Sequence, residues 1–154
     1  MAVRILHVSD LHVGKGNDAA VERGLAELVE RLAPTLILAT GDLTHRGRRD
    51  QHQQAAAQLR ALGPPVVAIP GNHDIPYTFP ARFTHPWREF ERLWEQTEPV
   101  YGADGVLVVG LNSVRPWRHQ SGGLRDARLR WAAERFAQAP AGALRDRSGA
   151  GYLR

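Results

Sequence analysis

Pro65-Val66-Val67-Ala68-Ile69-Pro70-Gly71-Asn72-His73-Asp74 is the stretch from which the rest of the chain can be read. A short, β-branched apolar run closed by Pro-Gly reads as a buried strand that stops abruptly. In a parallel α/β sheet the C-terminal end of a strand is where ligands bind, because the chain passes into a loop there. This loop offers an amide, an imidazole and a carboxylate in succession. Asn72 can give a metal a neutral oxygen, His73 can hold or deliver a proton near neutral pH, and Asp74 can orient the imidazole. Asn and Asp also favour turns on their own account, so the stretch takes its meaning from what precedes it.

Two earlier strands end in the same way. Val3-Arg4-Ile5-Leu6-His7-Val8 reads as a strand followed by Ser9-Asp10-Leu11-His12. His7 is expected on the core or sheet face, whereas Asp10 and His12, two apart in extended backbone, point to one side. Val21, Leu25, Leu28, Val29 and Leu32 define a helix over 19–33, ended by Pro34. Thr35 to Ala39 is nearly all apolar, as a strand covered on both faces should be, and leads into Thr40-Gly41-Asp42. A helix over 51–62 follows, with Asp50 as its N-cap and Gly63-Pro64-Pro65 as its stop. Strand–helix–strand–helix–strand with short connections is the pattern of a parallel α/β sheet.

Beyond Asp74 the chain reads as an irregular aromatic loop to Thr84, then a helix from Pro86 to Gln96 burying Trp87, Phe90, Leu93 and Trp94. A fourth strand spans 105–111 and ends at Asn112-Ser113; a helix over 124–139 packs through Leu129, Ala132, Ala133 and Phe136. The rhythm then demands another apolar strand, but 145–154 is polar, glycine-rich and without period. Residues 1–144 are therefore read as the N-terminal part of one domain, and 145–154 as an irregular tail in place of the next strand.

At 154 residues, 43% hydrophobic and 23% charged, the chain has the size and balance of one globular domain. No apolar run approaches the ~20 residues of a membrane helix, and no signal-peptide pattern opens the sequence. Without cysteine there is neither disulfide nor thiolate metal site, and a cytoplasmic location is the default expectation. The net charge is +4, and every basic residue except Lys15 is Arg. These arginines are scattered rather than gathered into a stripe, and no nucleic-acid-reading motif accompanies them.

Asp10, His12, Asp42, Asn72 and His73 thus collect at three successive strand ends. Carboxylate and amide oxygens mixed with imidazole suit Mn, Fe(II) or Zn better than Ca. Asp42, on the middle element, is placed to bridge two ions, and such a pair clamps a phosphoryl group.

Asp-x-His, Gly-Asp and Gly-Asn-His-Asp, in this order at strand ends, resemble the calcineurin-like metallophosphoesterase family over about residues 3 to 144. The resemblance implies a four-layer α-β-β-α sandwich of mixed sheets, here incomplete in its C-terminal half. It implies two divalent metal ions (Mn, Fe or Zn) and hydrolysis of a phosphoester, a phosphodiester above all, by a metal-bridging hydroxide. Asp10 and His12 would bind the first ion, Asp42 both, and Asn72 the second. His73 would be the catalytic imidazole beside the leaving oxygen, with Asp74 supporting it. His45, His52, His85 and His119 match no motif of the family and are left as surface or loop residues. The Gly-Asn-His-Asp-Ile-Pro context points to small phosphodiesters and the cyclic-nucleotide phosphodiesterase-like branch.

The family's three further metal histidines, two of them in a late Gly-His-x-His motif, do not occur after Leu144. A C-terminally truncated family member is the expectation, holding one ion or two. Exposed apolar sheet surface would cost it roughly 25 cal/mol per Å². Three functions stay open: the metallophosphoesterase, a non-catalytic remnant of it, and a nucleic-acid-binding module on the same fold. Arg46 and Arg48, ahead of the second helix, are candidate substrate contacts, since phosphate would gather them at a helix start that they otherwise oppose.

Overall fold

Alternation within the second strand decides the layering. The computed structural model describes residues 3–16, 18–103, 105–118 and 121–139, and the backbone of 144–149. β1 (Ile5–Val8), β2 (Leu36–Thr40) and β3 (Val66–Ile69) form a parallel sheet in the order β1-β2-β3. Its register pairs Ile5 with Leu36 and Ile37 with Val66. The crossovers carry α1 (Asp18–Leu32) and α2 (Arg49–Ala61).

Leu36 and Leu38 turn to one face, where with Val67 they meet Val106 and Val108. Ile37 and Ala39 turn to the other and pack with Val13, Leu43, Ala55, Leu59, Ala68 and Phe90. Phe90 comes from α4 (Arg88–Trp94), which follows the single turn α3 (Ala81–Thr84). Val106 and Val108 belong to a second sheet, β4 (Val100–Ala103), β5 (Val106–Leu111) and β6 (Leu144–Gly149), in the order β4-β5-β6. β5 runs antiparallel to β4 and parallel to β6. Its outward residues Val109 and Leu111 pack on Ala132 and Phe136 of α5 (Asp126–Ala137). The layers are therefore helix, sheet, sheet, helix. At Gly110 the sheets touch so closely that a Cβ would lie 2.6 Å from Ile69 Cγ2.

Four expectations need correction. Residues 144–149 form a strand rather than an irregular tail, pairing with β5 from Val106↔Leu144 to Leu111↔Gly149. A sheet edge is satisfied by backbone N–H and C=O groups and needs no apolar side-chain pattern; residues 150–154 lie outside the described ones. β4 was unexpected although Asp104-Gly105 is a hairpin signal; Gly105 has φ +82°. α2 begins two residues early, with Arg48 as its N-cap. Asp50 sits in the first turn, where a negative charge suits the helix dipole. On α5, Leu129 is 48% exposed and Ala133 exposed, so the helix packs through Ala132 and Phe136. No described helix is long and apolar enough to cross a membrane.

Candidate metal centre

The C-terminal ends of β1, β2 and β3 continue as three loops laced together by backbone. The N–H of Gly41 donates to Ile69 O (2.9 Å), and that of Asp10 to Gly41 O (3.1 Å). His12 N–H donates to Asp42 O and Val13 N–H to Leu43 O (both 2.9 Å), while His45 N–H returns to Val13 O (3.0 Å). Each side chain of interest thus hangs from a loop tied to its neighbour.

Asp10, His12 and Asp42 have φ of +56°, +48° and +51°, the left-handed region. Such a residue costs on the order of 1 kcal/mol or more. The reading of Asp10 and His12 as extended is corrected accordingly: left-handed turns, not strand alternation, bring them together. Asp10, His12 and Asp42 each offer a ligand atom within 4.8 Å of the others, and so do His12, His45 and His73. Asp42 Oδ1 also accepts the His73 N–H at 2.9 Å. Gly71 is required here, since a Cβ would lie 2.2 Å from Asp42 N and Oδ1. Asn72 follows, half-buried in the same turn, its side chain making no hydrogen bond among the described residues.

The donor set fits a divalent ion. Carboxylate oxygens and an imidazole converge, His12 Nε2 standing 3.9 Å from Asp10 Oδ1, and mixed oxygen and nitrogen donors of this kind suit borderline divalent ions.

Asp74 does not support the His73 ring. It is 1% exposed, and its carboxylate is occupied by the loops. Oδ1 accepts Thr44 N–H (2.8 Å) and Oγ1–H (2.9 Å). Oδ2 accepts Gly71 N–H (2.8 Å) and Leu43 N–H (3.2 Å). Burial pushes this carboxyl above the usual range, against the donors that favour its charge. Asp74 clamps the loop after β2 to the loop after β3. The His73 ring is instead held by His45, whose backbone oxygen accepts Nδ1–H at 2.8 Å. A carbonyl only accepts, so Nδ1 carries the hydrogen and the lone pair of the neutral ring is on Nε2. The Tyr77 hydroxyl lies 2.8 Å from Nδ1. Burial, then the Asp42 charge, raises its pKa, which keeps it protonated.

His45 and His52 are not idle surface residues. His45 stands three residues after Asp42, and its ring faces those of His12 (6.0 Å) and His73 (6.1 Å). Desolvation, then Arg46, His12, His73 and Lys15, lower its pKa. Its Nδ1 is buried without a partner among the described residues. His52 is 1% exposed and donates Nε2–H to Asp74 O (3.0 Å), bracing the clamp from below. Desolvation lowers its pKa, while the Asp74 charge and the hydrogen bond pull it partly back. His7 is exposed on the sheet against Thr40 Oγ1, His85 is exposed, and His119 lies outside the described residues.

The two arginines part company. Arg46 is exposed beside His45 and Tyr77, whose ionisation its charge influences. Arg48 is exposed but forms a two-point ion pair with Asp50 (3.1 and 3.0 Å). Of the two candidate substrate contacts, Arg48 is thus already engaged by Asp50 and Arg46 is not. Asn112 closes its own turn, Oδ1 accepting Val114 N–H at 3.0 Å.

A family model described as calcineurin-like phosphoesterase matches residues 3–140. Over 153 residues the chain is 29% identical to a protein of Synechococcus sp. named "Probable cyclic nucleotide phosphodiesterase", covering 90% of this chain and 54% of that one. Over 80 residues it is 34% identical to the glycerophosphodiester phosphodiesterase GpdQ of Enterobacter lignolyticus, covering 46% and 29%. The chain thus spans about half the length of the first relative and less of the second. Its fold is similar to that of the purple acid phosphatase PPD1 from yellow lupin seeds, with a TM-score of 0.60 at 12% identity, covering 85% of this chain and 27% of that one.

Proposed function

Given that the chain belongs to the calcineurin-like phosphoesterase family, we propose that it hydrolyses a small phosphodiester, with Asp10, His12, Asp42 and Asn72 holding divalent ions. Bound there, such ions supply Lewis acidity, polarising a phosphoryl oxygen and acidifying water towards neutral pH. Mixed oxygen and nitrogen donors favour Mn, Fe(II) or Zn. Asp42 lies between the loop of Asp10 and His12 and the loop of Asn72 and His73, so its two oxygens can serve ions on either side. In its imidazolium form, His73 carries a second proton on Nε2 and passes it to the leaving oxygen. Its Nδ1–H is committed to His45 O, so the ring presents one nitrogen only. Arg46 attracts the anionic substrate; Arg48, paired with Asp50, does not.

The observation that carries this reading is the convergence of Asp10, His12 and Asp42 within 4.8 Å at two adjacent strand ends, with three left-handed residues held in place by tertiary bonds. Strain of that kind persists where surrounding structure over-determines it, and it clusters at functional sites. The phosphodiester class has support in the names of two relatives, whose printed substrates are a cyclic nucleotide and a glycerophosphodiester.

The test is Mn²⁺-dependent hydrolysis of bis(p-nitrophenyl) phosphate by the wild-type chain and by Asp42→Ala and His73→Gln. The proposal expects turnover that saturates with Mn²⁺, abolished in Asp42→Ala together with metal binding. His73→Gln should lose turnover while still binding metal. A wild-type chain that binds Mn²⁺ but hydrolyses nothing is a non-catalytic remnant.

A further inference from the structure

His12 belongs to two ligand groups at once, one with two carboxylates and one made entirely of imidazole. We propose that His12, His45 and His73 form a second, alternative cation site, selective for borderline ions such as Zn²⁺ or Co²⁺ over Mg²⁺ or Ca²⁺. An all-nitrogen donor set suits ions that accept imidazole and offers nothing to hard, oxygen-seeking ions.

The geometry is close to what such an ion needs. Three nitrogens no more than 4.8 Å apart have a common centre at most about 2.8 Å from each, against a Zn–N bond of about 2.0–2.1 Å. Each ring must move inward by about 0.7 Å at most. Two of them can do so, because the Nδ1 atoms of His12 and His45 are buried with no hydrogen bond to lose. The third is already oriented, His73 being held through Nδ1 by His45 O (2.8 Å) with its ring 4.6 Å from that of His12. A ligating histidine fixed through its other nitrogen by a carbonyl is the usual arrangement of a metal site. His45 thus acts twice, its backbone orienting one ligand and its side chain supplying another.

Because His12 is shared, an ion among the three imidazoles withdraws it from Asp10 and Asp42. On the phosphodiesterase reading, it also takes the free nitrogen of His73. Borderline ions at this site are then inhibitors that compete with the ion among the carboxylates, a consequence that rests on the proposed function. The binding itself does not.

The experiment is calorimetric Zn²⁺ titration of the tag-free chain, its Asp10→Asn/Asp42→Asn variant and its His45→Ala variant, without substrate. The double variant should keep a Zn²⁺ site within about threefold of wild-type affinity while losing Mn²⁺ binding. His45→Ala, which leaves the orienting carbonyl in place, should weaken a Zn²⁺ site at least tenfold. Loss of all Zn²⁺ binding in a folded double variant, or unchanged Zn²⁺ affinity in His45→Ala, overturns the proposal. If the double variant does not fold, the Co²⁺ spectrum decides: a tetrahedral visible band in the wild type that disappears in His45→Ala sustains the site, and one that persists refutes it. Failure here leaves the carboxylate site and the hydrolysis assay untouched.

Discussion

Replacing Asp74 with Asn separates a clamp from a catalytic orienter. The wild-type carboxylate accepts four hydrogen bonds, from Thr44 N–H and Oγ1–H on one oxygen and from Gly71 and Leu43 N–H on the other. The best placement of an Asn amide keeps its oxygen toward Gly71 and Leu43 and turns its NH₂ toward Thr44. The Thr44 hydroxyl can then accept from the NH₂ and donate to His73 O, 3.0 Å away. Thr44 N–H alone is orphaned, at about 1–3 kcal/mol, and the bonds that remain lose their charge assistance at roughly 0.5–1 kcal/mol each. The expected loss is about 2–5 kcal/mol, a large share of the ~5–15 kcal/mol of a typical domain. Urea unfolding of the metal-free chain at about pH 8 measures it, with the denaturant slope unchanged. Mn²⁺ affinity should fall along with it, because the loops of Asp42 and Asn72 are no longer fastened together. A loss below about 1 kcal/mol without metal or substrate refutes the clamp, and with it the claim that the His73 ring depends on His45 instead.

Gly71→Ala puts a Cβ 2.2 Å from Asp42 N and Oδ1; about 1–3 kcal/mol of stability and at least tenfold in Mn²⁺ affinity should go, and normal Mn²⁺ affinity would show that the loop yields. The folded-state pKa of His52 is lowered, chiefly by desolvation. The stability tied to it is therefore present above the unfolded value of ~6.5 and lost as pH falls below it. His52→Gln, which can still donate to Asp74 O, should flatten that acid slope in thermal unfolding, and parallel pH curves for the two proteins would exclude the effect. Arg46→Ala should raise KM for a phosphodiester with metal content unchanged. Arg48→Ala should leave KM where it was and cost at most about 0.5 kcal/mol, since its pair with Asp50 is open to solvent; equal KM effects would contradict the distinction.

The strand ends were legible because their residues come as spaced motifs after apolar runs, and each motif survives small errors in element boundaries. What the side chains do within those loops was not. Asp74 follows His73 directly, which suggests a pair, yet in a tight turn successive side chains leave in different directions, and this one enters the core. His45 carried only a weak signal, a histidine three residues beyond Asp42 on a loop whose course depends on backbone bonds to Val13. The same-side placement of Asp10 and His12 was anticipated for the wrong reason, since left-handed φ values cannot be inferred for non-glycine residues from spacing alone. Layering followed from the alternation of Leu36, Ile37, Leu38 and Ala39, while β6 escaped because an edge strand is held by backbone pairing.

The most direct measurement is anomalous diffraction at the manganese edge from crystals of this chain grown with Mn²⁺. The account predicts a peak about 2 Å from carboxylate oxygens of Asp10 and Asp42 and from a nitrogen of His12. An empty map between those three side chains, with manganese bound elsewhere, would contradict it.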